Sequence, residues 1–190
     1  MQLVCPAGNL PALQAAVDAG ANAVYAGFRD QTNARAFPGL NFSDDELRAG
    51  VRYAHAKGAK VYLALNTYPD SARVRDWYSA VDKAAALGCD AIIAAEMAVL
   101  DYAARTHPGL PRHLSVQGSA TTAPALKYAF ERFGISRAVL PRVLSLQQVE
   151  RLCERSPVPL EVFAFGSLCI MVEGRCQLSS FVTGASPNRH

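Results

Sequence analysis

Residues 60–96, KVYLALNTYPDSARVRDWYSAVDKAAALGCDAIIAAE, predict a strand, a helix and a second strand in succession. Lys60 to Leu65 and Ala91 to Ala94 are short apolar runs, and the segment 71–87 between them is followed by Gly88, a residue that commonly ends a helix. Strands that are apolar throughout are buried on both faces, as in a parallel sheet covered by helices. We therefore predict an α/β fold with a parallel sheet.

The same unit recurs along the chain about every 25 residues. Ser43 and Glu46 form a predicted capping box at the start of a helix, and Asn9, Ser145 and the Thr122–Pro124 pair mark further helix starts. The predicted strands are 3–5, 23–26, 60–65, 91–94, 113–116, 138–140 and 160–164.

Seven strand–helix units without a glycine-rich dinucleotide fingerprint favour a (β/α) TIM-type barrel over a doubly wound sheet. A complete barrel has eight units, so we predict one barrel domain over residues 1–190 that is truncated at its carboxyl end. An open parallel sheet is the alternative fold.

Composition sets limits on function. The chain has 190 residues, 51% of them hydrophobic, and a net charge of +3. Lys and Arg are spread evenly, which argues against a nucleic-acid partner. The amino terminus lacks the features of a signal peptide, and no apolar run is long enough to span a bilayer. These features predict a cytoplasmic protein with no membrane span.

In a barrel, the carboxyl ends of the strands form the catalytic face. Arg35 and Arg142 could each bind a carboxylate or phosphate, or could anchor a loop. Asn66 and Gln117 could orient a polar substrate or cap a backbone turn. No catalytic residue follows from the pattern. The residues predicted at this face are Asn9, Asn33, Arg35, Asn66, Glu96, Gln117, Arg142, Ser167 and Cys169.

Two carboxylates need separate interpretations. Glu96 could be a general base, although such a residue more often caps the following helix. Glu161 begins the seventh predicted strand, so we expect it at the amino end of the sheet, away from the chemistry, in a buried ion pair.

The five cysteines also differ in their expected roles. Cys89 and Cys153 are interpreted as buried core residues, and Cys5 could be either a core or a functional thiol. Cys169 and Cys176 lie seven positions apart in a glycine-containing loop. Because the chain has no secretion signal, we expect these two thiols to serve in metal or redox chemistry rather than in a structural disulfide. Zinc and iron–sulfur sites need about four protein ligands, so this pair supplies half a site.

The segment 161–176, EVFAFGSLCIMVEGRC, resembles the signature of the collagenase-like peptidases, family U32. The opening CPAGN and the later AVYAG resemble the amino end of that family. The segments 32–42, 141–149 and 165–180 resemble the branch of the family that acts in ubiquinone biosynthesis.

This resemblance implies a [4Fe–4S] cluster, with Cys169 and Cys176 as two ligands and two more after His190. It also implies an iron–sulfur subunit of an oxygen-independent hydroxylase that acts on a ubiquinone precursor, with prephenate as oxygen donor and a homologous subunit resembling UbiV as heterodimeric partner. We expect the cluster to be absent or incomplete in this chain. A collagenase-like peptidase, a hydroxylase of RNA bases and a non-catalytic scaffold that docks the homologous partner are the alternatives.

Overall fold

The computed structural model describes residues 1–166, 181, 182 and 184. Within this part, seven parallel strands form one sheet in which each strand pairs with the next along the chain. Sequential neighbours curling into one layer are the arrangement of a barrel, whereas a doubly wound sheet reverses its strand order. The strands are β1 (Val4–Pro6), β2 (Ala23–Ala26), β3 (Lys60–Leu65), β4 (Ala91–Ala94), β5 (Arg112–Leu114), β6 (Arg137–Val139) and β7 (Leu160–Glu161).

In the described residues six α-helices alternate with the strands, which confirms the predicted incomplete TIM-type barrel. The predicted helix 71–87 is divided into a 3₁₀ turn, Ser71–Arg73, and a following α-helix. A second 3₁₀ turn, Val116–Gly118, follows β5. The α-helices are α1 (Leu10–Asp18), α2 (Asp44–Ala56), α3 (Val74–Ala86), α4 (Met97–Thr106), α5 (Ala123–Phe133) and α6 (Leu146–Arg155).

The predicted helix starts are confirmed by their hydrogen bonds. The Ser43 side chain accepts from the Glu46 backbone, and the Glu46 carboxylate accepts from the Ser43 N–H. Ser145 and Gln148 form a second capping box. Each box satisfies N–H groups that have no partner within the helix, and so fixes where the chain leaves a strand-end loop.

The sheet separates two apolar regions. The large core lies between the strands and the helices, and Trp77 of α3 is fully buried there. The inner face of the sheet carries a smaller cluster of Ala23, Tyr62, Ala91 and Ile93. This alternation follows from the two-residue period of a strand, which sends neighbouring side chains to opposite faces.

Strands β1 and β7 are the two edges of the described sheet. Arg137 of β6 spans the gap between them, because its guanidinium donates both to Glu161 of β7 and to Gln2, which precedes β1. These two hydrogen bonds link the two edges of the described sheet through one side chain.

A membrane-spanning helix would need a long apolar run, and none of the helices in the described part has one.

Candidate functional site

A cavity of about 290 Å³ opens at the carboxyl ends of the strands, and we call it the mouth cavity. The four predicted substrate-binding residues Arg35, Asn66, Gln117 and Arg142 all line it. They come from four different strand–helix loops, so the barrel topology alone brings them together. Their role in substrate binding stays a prediction. The lining is completed by Pro6, Tyr25, Ala34, Ala64, Ile93, Ser115, Val116, Val139, Glu161, Phe163, Phe165 and Gly166.

The loop after β2 positions Arg35 through a buried amide pair. The Asn33 amide donates to Asn41 Oδ1 over 3.0 Å and to the Phe28 carbonyl over 3.2 Å. The Oδ1 atom of Asn33 accepts from the Arg35 N–H at 3.0 Å, and the Asn41 side-chain amide donates to the Arg35 carbonyl at 2.6 Å. The backbone of Arg35 is thus fixed while its side chain faces the cavity. Asn33, predicted at the catalytic face, supports the loop and does not line the cavity.

Asn66 holds a backbone turn, which is one of the two roles predicted for it. Its Oδ1 accepts from the Ala34 N–H at 3.0 Å, which ties the loop after β2 to the end of β3. Its side chain also lines the mouth cavity. Asn66 therefore anchors the loop that carries Arg35 and adds a polar wall to the cavity.

Gln117 brings an unsatisfied acceptor to the cavity. Its Oε1 atom is buried and has no hydrogen-bond partner within the described residues. The Ser115 hydroxyl accepts from the Gln117 N–H, and Tyr68 donates to the Gln117 carbonyl. The backbone of the 3₁₀ turn is therefore held by two hydrogen bonds, while the side-chain Oε1 has no partner within the described residues. A buried amide oxygen without a partner costs stability, which a bound donor would recover.

Arg142 lies against an aromatic ring. Its guanidinium carbon is 4.6 Å from the centroid of Phe163. Both residues line the mouth cavity and also a second, apolar groove of about 410 Å³, which we call the side groove. The side groove is lined by Leu140, Pro141, Arg142, Leu144, Leu146, Val149, Val162, Phe163, Ala164, Phe165 and Gly166.

Two of the residues predicted at the catalytic face serve as helix caps. The Asn9 side chain accepts from the Ala12 N–H at the start of α1. The Glu96 side chain accepts from the Ala98 N–H at the start of α4. Neither residue lines the mouth cavity, and the capping interpretation of Glu96 is confirmed by its hydrogen bond.

The predicted position of Glu161 is wrong. Only two residues of β7 pair with β6, so Glu161 is at the carboxyl end of the strand and lines the mouth cavity. The predicted ion pair is confirmed, since Arg137 Nη1 lies 3.0 Å from Glu161 Oε2. The apolar run predicted a strand of five residues, 160–164. Because the strand ends after two residues, Glu161 lies at its carboxyl end, on the catalytic face.

Below the cavity, the interior of the barrel holds a group of polar and aromatic side chains. His113 is buried, its ring meets that of Tyr62 edge to face with centroids 4.7 Å apart, and its Nδ1 has no partner within the described part of the chain. Burial, together with the positive charges of Arg137 and Lys60, lowers the pKa of His113 to about 4. His113 is therefore neutral near pH 7. His113 was not among the residues predicted at the catalytic face.

The cysteine predictions have mixed outcomes. Cys89 is buried as predicted, and burial raises the pKa of its thiol to about 12. The prediction that Cys153 is buried is wrong, because α6 buries only Leu152 and the next residue points to solvent. Cys5 is half-buried. Cys169, Cys176 and Ser167 lie outside the described residues. No group of three or more His, Cys, Asp or Glu side chains within the described residues could hold a metal ion.

Comparison with known proteins gives the family. The sequence profile of peptidase family U32 matches residues 8–190. The chain belongs to peptidase family U32. The solved U32 peptidase Mk0906 has the same fold, with a TM-score of 0.70 and 18% identity over 85% of this U32 chain and 68% of that chain.

Curated relatives of this U32 chain carry two kinds of name. The tRNA hydroxylation protein P of Escherichia coli (strain K12) is 32% identical, over 99% of this chain and 41% of that protein. A collagenase of Porphyromonas gingivalis (strain ATCC BAA-308 / W83) is 34% identical, over 99% of this chain and 47% of that protein. The chain thus spans less than half the length of these relatives.

Proposed function

We propose that this U32 chain is the amino-terminal part of an oxygen-independent hydroxylase that adds a hydroxyl group to the ring of a ubiquinone precursor. One observation carries the proposal. The polar mouth cavity and the apolar side groove share four lining residues, Arg142, Phe163, Phe165 and Gly166. A ubiquinone precursor has the same division, with a small polar ring attached to an isoprenoid tail.

The size and lining of the two spaces support this assignment. The mouth cavity, at about 290 Å³, is at the small end of the range for ligand pockets, which suits a single substituted ring. The side groove is walled by Leu140, Leu144, Leu146 and Val149. Each tail methylene buried there contributes about 0.8 kcal/mol to binding. The three segments that resemble the ubiquinone branch of the family, 32–42, 141–149 and 165–180, include residues of both linings.

The cationic side chains have a distinct role in this proposal. Arg35 faces the mouth cavity with its backbone fixed, and the Arg142 guanidinium lies over the Phe163 ring. A guanidinium forms two parallel hydrogen bonds with a carboxylate. We assign Arg35 and Arg142 to binding a carboxylate-bearing oxygen donor such as prephenate, with Asn66 and Gln117 orienting the ring.

The proposal includes an iron–sulfur cluster with Cys169 and Cys176 as two of its four ligands. Cys169 follows Gly166, a residue of the cavity wall, by three positions in the sequence. The other two ligands come from residues after His190. When bound, the cluster would supply electron transfer. A homologous U32 subunit resembling UbiV completes the proposed enzyme as a heterodimer.

Hydroxylation of an RNA base is the second candidate. It is favoured by the relatives named as tRNA hydroxylation proteins, which match almost the whole of this chain. Recognition of an unpaired base needs a stacking surface and a basic path for the backbone. The mouth cavity has Tyr25, Phe163 and Phe165 for stacking, but Lys and Arg exceed Asp and Glu by only three across the chain.

The collagenase name of one relative raises proteolysis as a further reading. The described lining of the mouth cavity offers one aliphatic hydroxyl, Ser115, and neither cysteine nor histidine. The Ser115 hydroxyl already accepts a hydrogen bond from the Gln117 N–H. A serine or cysteine peptidase needs a nucleophile next to a base, and the described lining lacks that pair.

One strain separates these functions. We would delete the gene, grow the strain anaerobically, and return the full-length gene or its variants. Quinone intermediates and RNA nucleosides are then measured in the same cultures. The proposal predicts a missing ring hydroxylation that the wild type restores, with RNA nucleosides unchanged. A missing hydroxylated nucleoside with normal quinone would refute it and favour the RNA function.

Two sets of variants test the parts of the proposal. Cys169→Ala or Cys176→Ala should lower the iron content of anaerobically purified full-length protein, and Cys153→Ala is the matched control on an exposed thiol. Unchanged iron in both cysteine variants would refute the ligand assignment. Leu146→Asp places a charge in the side groove at a side chain that is already exposed, so quinone restoration should fall while the fold is kept. Met97→Asp is the control at an exposed apolar residue outside both linings.

A further inference from the structure

Glu161 is the one carboxylate within the described lining of the mouth cavity. Its side chain is 21% exposed, and its ion-pair partner Arg137 is 16% exposed. Arg137 occupies Oε2 of Glu161 at 3.0 Å, whereas Oε1 has no partner among the described residues. Glu161 thus brings a carboxylate, bound through Oε2 to Arg137, to the wall of a small cavity.

Arg137 is fixed by contacts on three sides. Besides Glu161, its guanidinium donates to Gln2, and it lies 5.6 Å from the centroid of the Tyr62 ring. The Tyr62 ring in turn packs against His113. A guanidinium held in this way fixes the carboxylate that it binds, so Arg137 acts as a positioning residue for Glu161.

The surroundings strengthen a hydrogen bond to Glu161. Besides its polar side chains, the cavity lining includes Tyr25, Ile93, Val139 and Phe163, and hydrogen bonds to charged groups gain strength where such residues displace water. Burial, together with the Glu161 charge, raises the pKa of Tyr25. Tyr25 therefore stays a neutral phenol near pH 7 and adds no second negative charge beside Glu161.

We infer that Glu161 accepts a hydrogen bond from a phenolic O–H on the substrate ring, and that Arg137 positions it for this contact. The inference rests on the proposed function, since it assigns a residue to the ring within the mouth cavity. A phenol that donates to a carboxylate has more electron density at its ortho and para carbons, which are the carbons that accept a new hydroxyl group. The proton stays on the phenol oxygen, so the contact itself breaks no bond.

The test compares two probes with the full-length protein. Phenol carries the donor, and anisole is the same ring with the donor replaced by a methyl ether. Affinities are measured by ligand-observed NMR under anaerobic conditions. Wild type should prefer phenol to anisole, and Glu161→Gln, which keeps the shape and removes the charge, should reduce that preference about tenfold. Glu131→Gln, on an exposed carboxylate of α5, is the control and should keep it.

Arg137 is tested by a conservative rescue. Arg137→Gln should lower the phenol preference several-fold, and Arg137→Lys should restore part of it because the positive charge is kept. If Glu161→Gln does not fold, the double variant with Arg137→Gln leaves no unpaired charge and should show the same loss of preference.

The outcomes separate this inference from the proposed function. An equal phenol preference in wild type and Glu161→Gln, or no preference in wild type, overturns the role of Glu161, while restored quinone in the deletion strain still upholds the function. If wild type fails to restore ring hydroxylation of the quinone, the proposed function falls and the inference falls with it. A lost phenol preference together with lost quinone restoration in Glu161→Gln supports both.

Discussion

Substitution of Gly27 by alanine should destabilise the loop that holds Arg35. A Cβ atom at Gly27 would lie 2.2 Å from Asn33 Nδ2 and 2.5 Å from Asn33 Cγ, so the amide would have to move. That amide makes three hydrogen bonds, to the Phe28 carbonyl, to Asn41 and from the Arg35 N–H. At about 1 kcal/mol each, their loss lowers the free energy of unfolding by about 3 kcal/mol.

Urea unfolding measures this loss, and the single tryptophan, Trp77, reports it by fluorescence because it is fully buried. With a slope of about 2 kcal/mol per molar urea, the midpoint should fall by about 1.5 M. Gly109→Ala is the matched control, since nothing lies within 4 Å of a Cβ atom at that position. Its midpoint should stay within about 0.3 M of the wild-type value.

A double-mutant cycle tests the assigned cause. In an Asn33→Ala background the colliding amide is gone, so adding Gly27→Ala should cost less than about 1 kcal/mol. An undiminished cost of about 3 kcal/mol in that background would refute the proposed collision with Asn33 and direct attention to the backbone of the loop itself.

Three further predictions concern buried groups. The pKa of His113 is about 4 in the folded chain and 6.5 when unfolded, so the unfolded state binds the extra proton first. The free energy of unfolding should therefore fall by about 3 kcal/mol as the pH drops from 6.5 towards 4. The urea midpoint of His113→Gln should lack this part of the decline. Equal declines of the midpoint in the wild type and in His113→Gln would contradict the prediction. Cys89, whose thiol pKa is raised to about 12 by burial, should resist alkylation in the folded protein, while exposed Cys153 is labelled. Mass spectrometry locates the labels, and early labelling of Cys89 would contradict its burial. Thr67→Val removes the acceptor of the buried Trp77 N–H and should cost about 1–3 kcal/mol in thermal unfolding, with Thr67→Ser as the control that keeps the hydroxyl.

The sequence pattern predicted the helices and strands well, because helix caps and apolar runs depend on only a few consecutive residues. Ser43 and Ser145 mark true helix starts, since a cap needs only the three residues that follow it. Apolar runs located all seven strands, and the repeat predicted the barrel. Strand ends were less certain, because they depend on the neighbouring strand, and the early end of β7 reversed the predicted position of Glu161.

The sequence by itself determined that Arg35, Asn66, Gln117 and Arg142 follow strands, and a barrel collects such residues at one face. Only the tertiary structure decided which side chains share a cavity and which serve as caps. Arg137 meets Glu161 across 24 positions and Gln2 across 135 positions. No local periodicity encodes such contacts, because they form only when the first and last described strands curl towards each other. The carboxylate that we assign to the ring was therefore visible in the sequence, but its place at the mouth of the barrel was not.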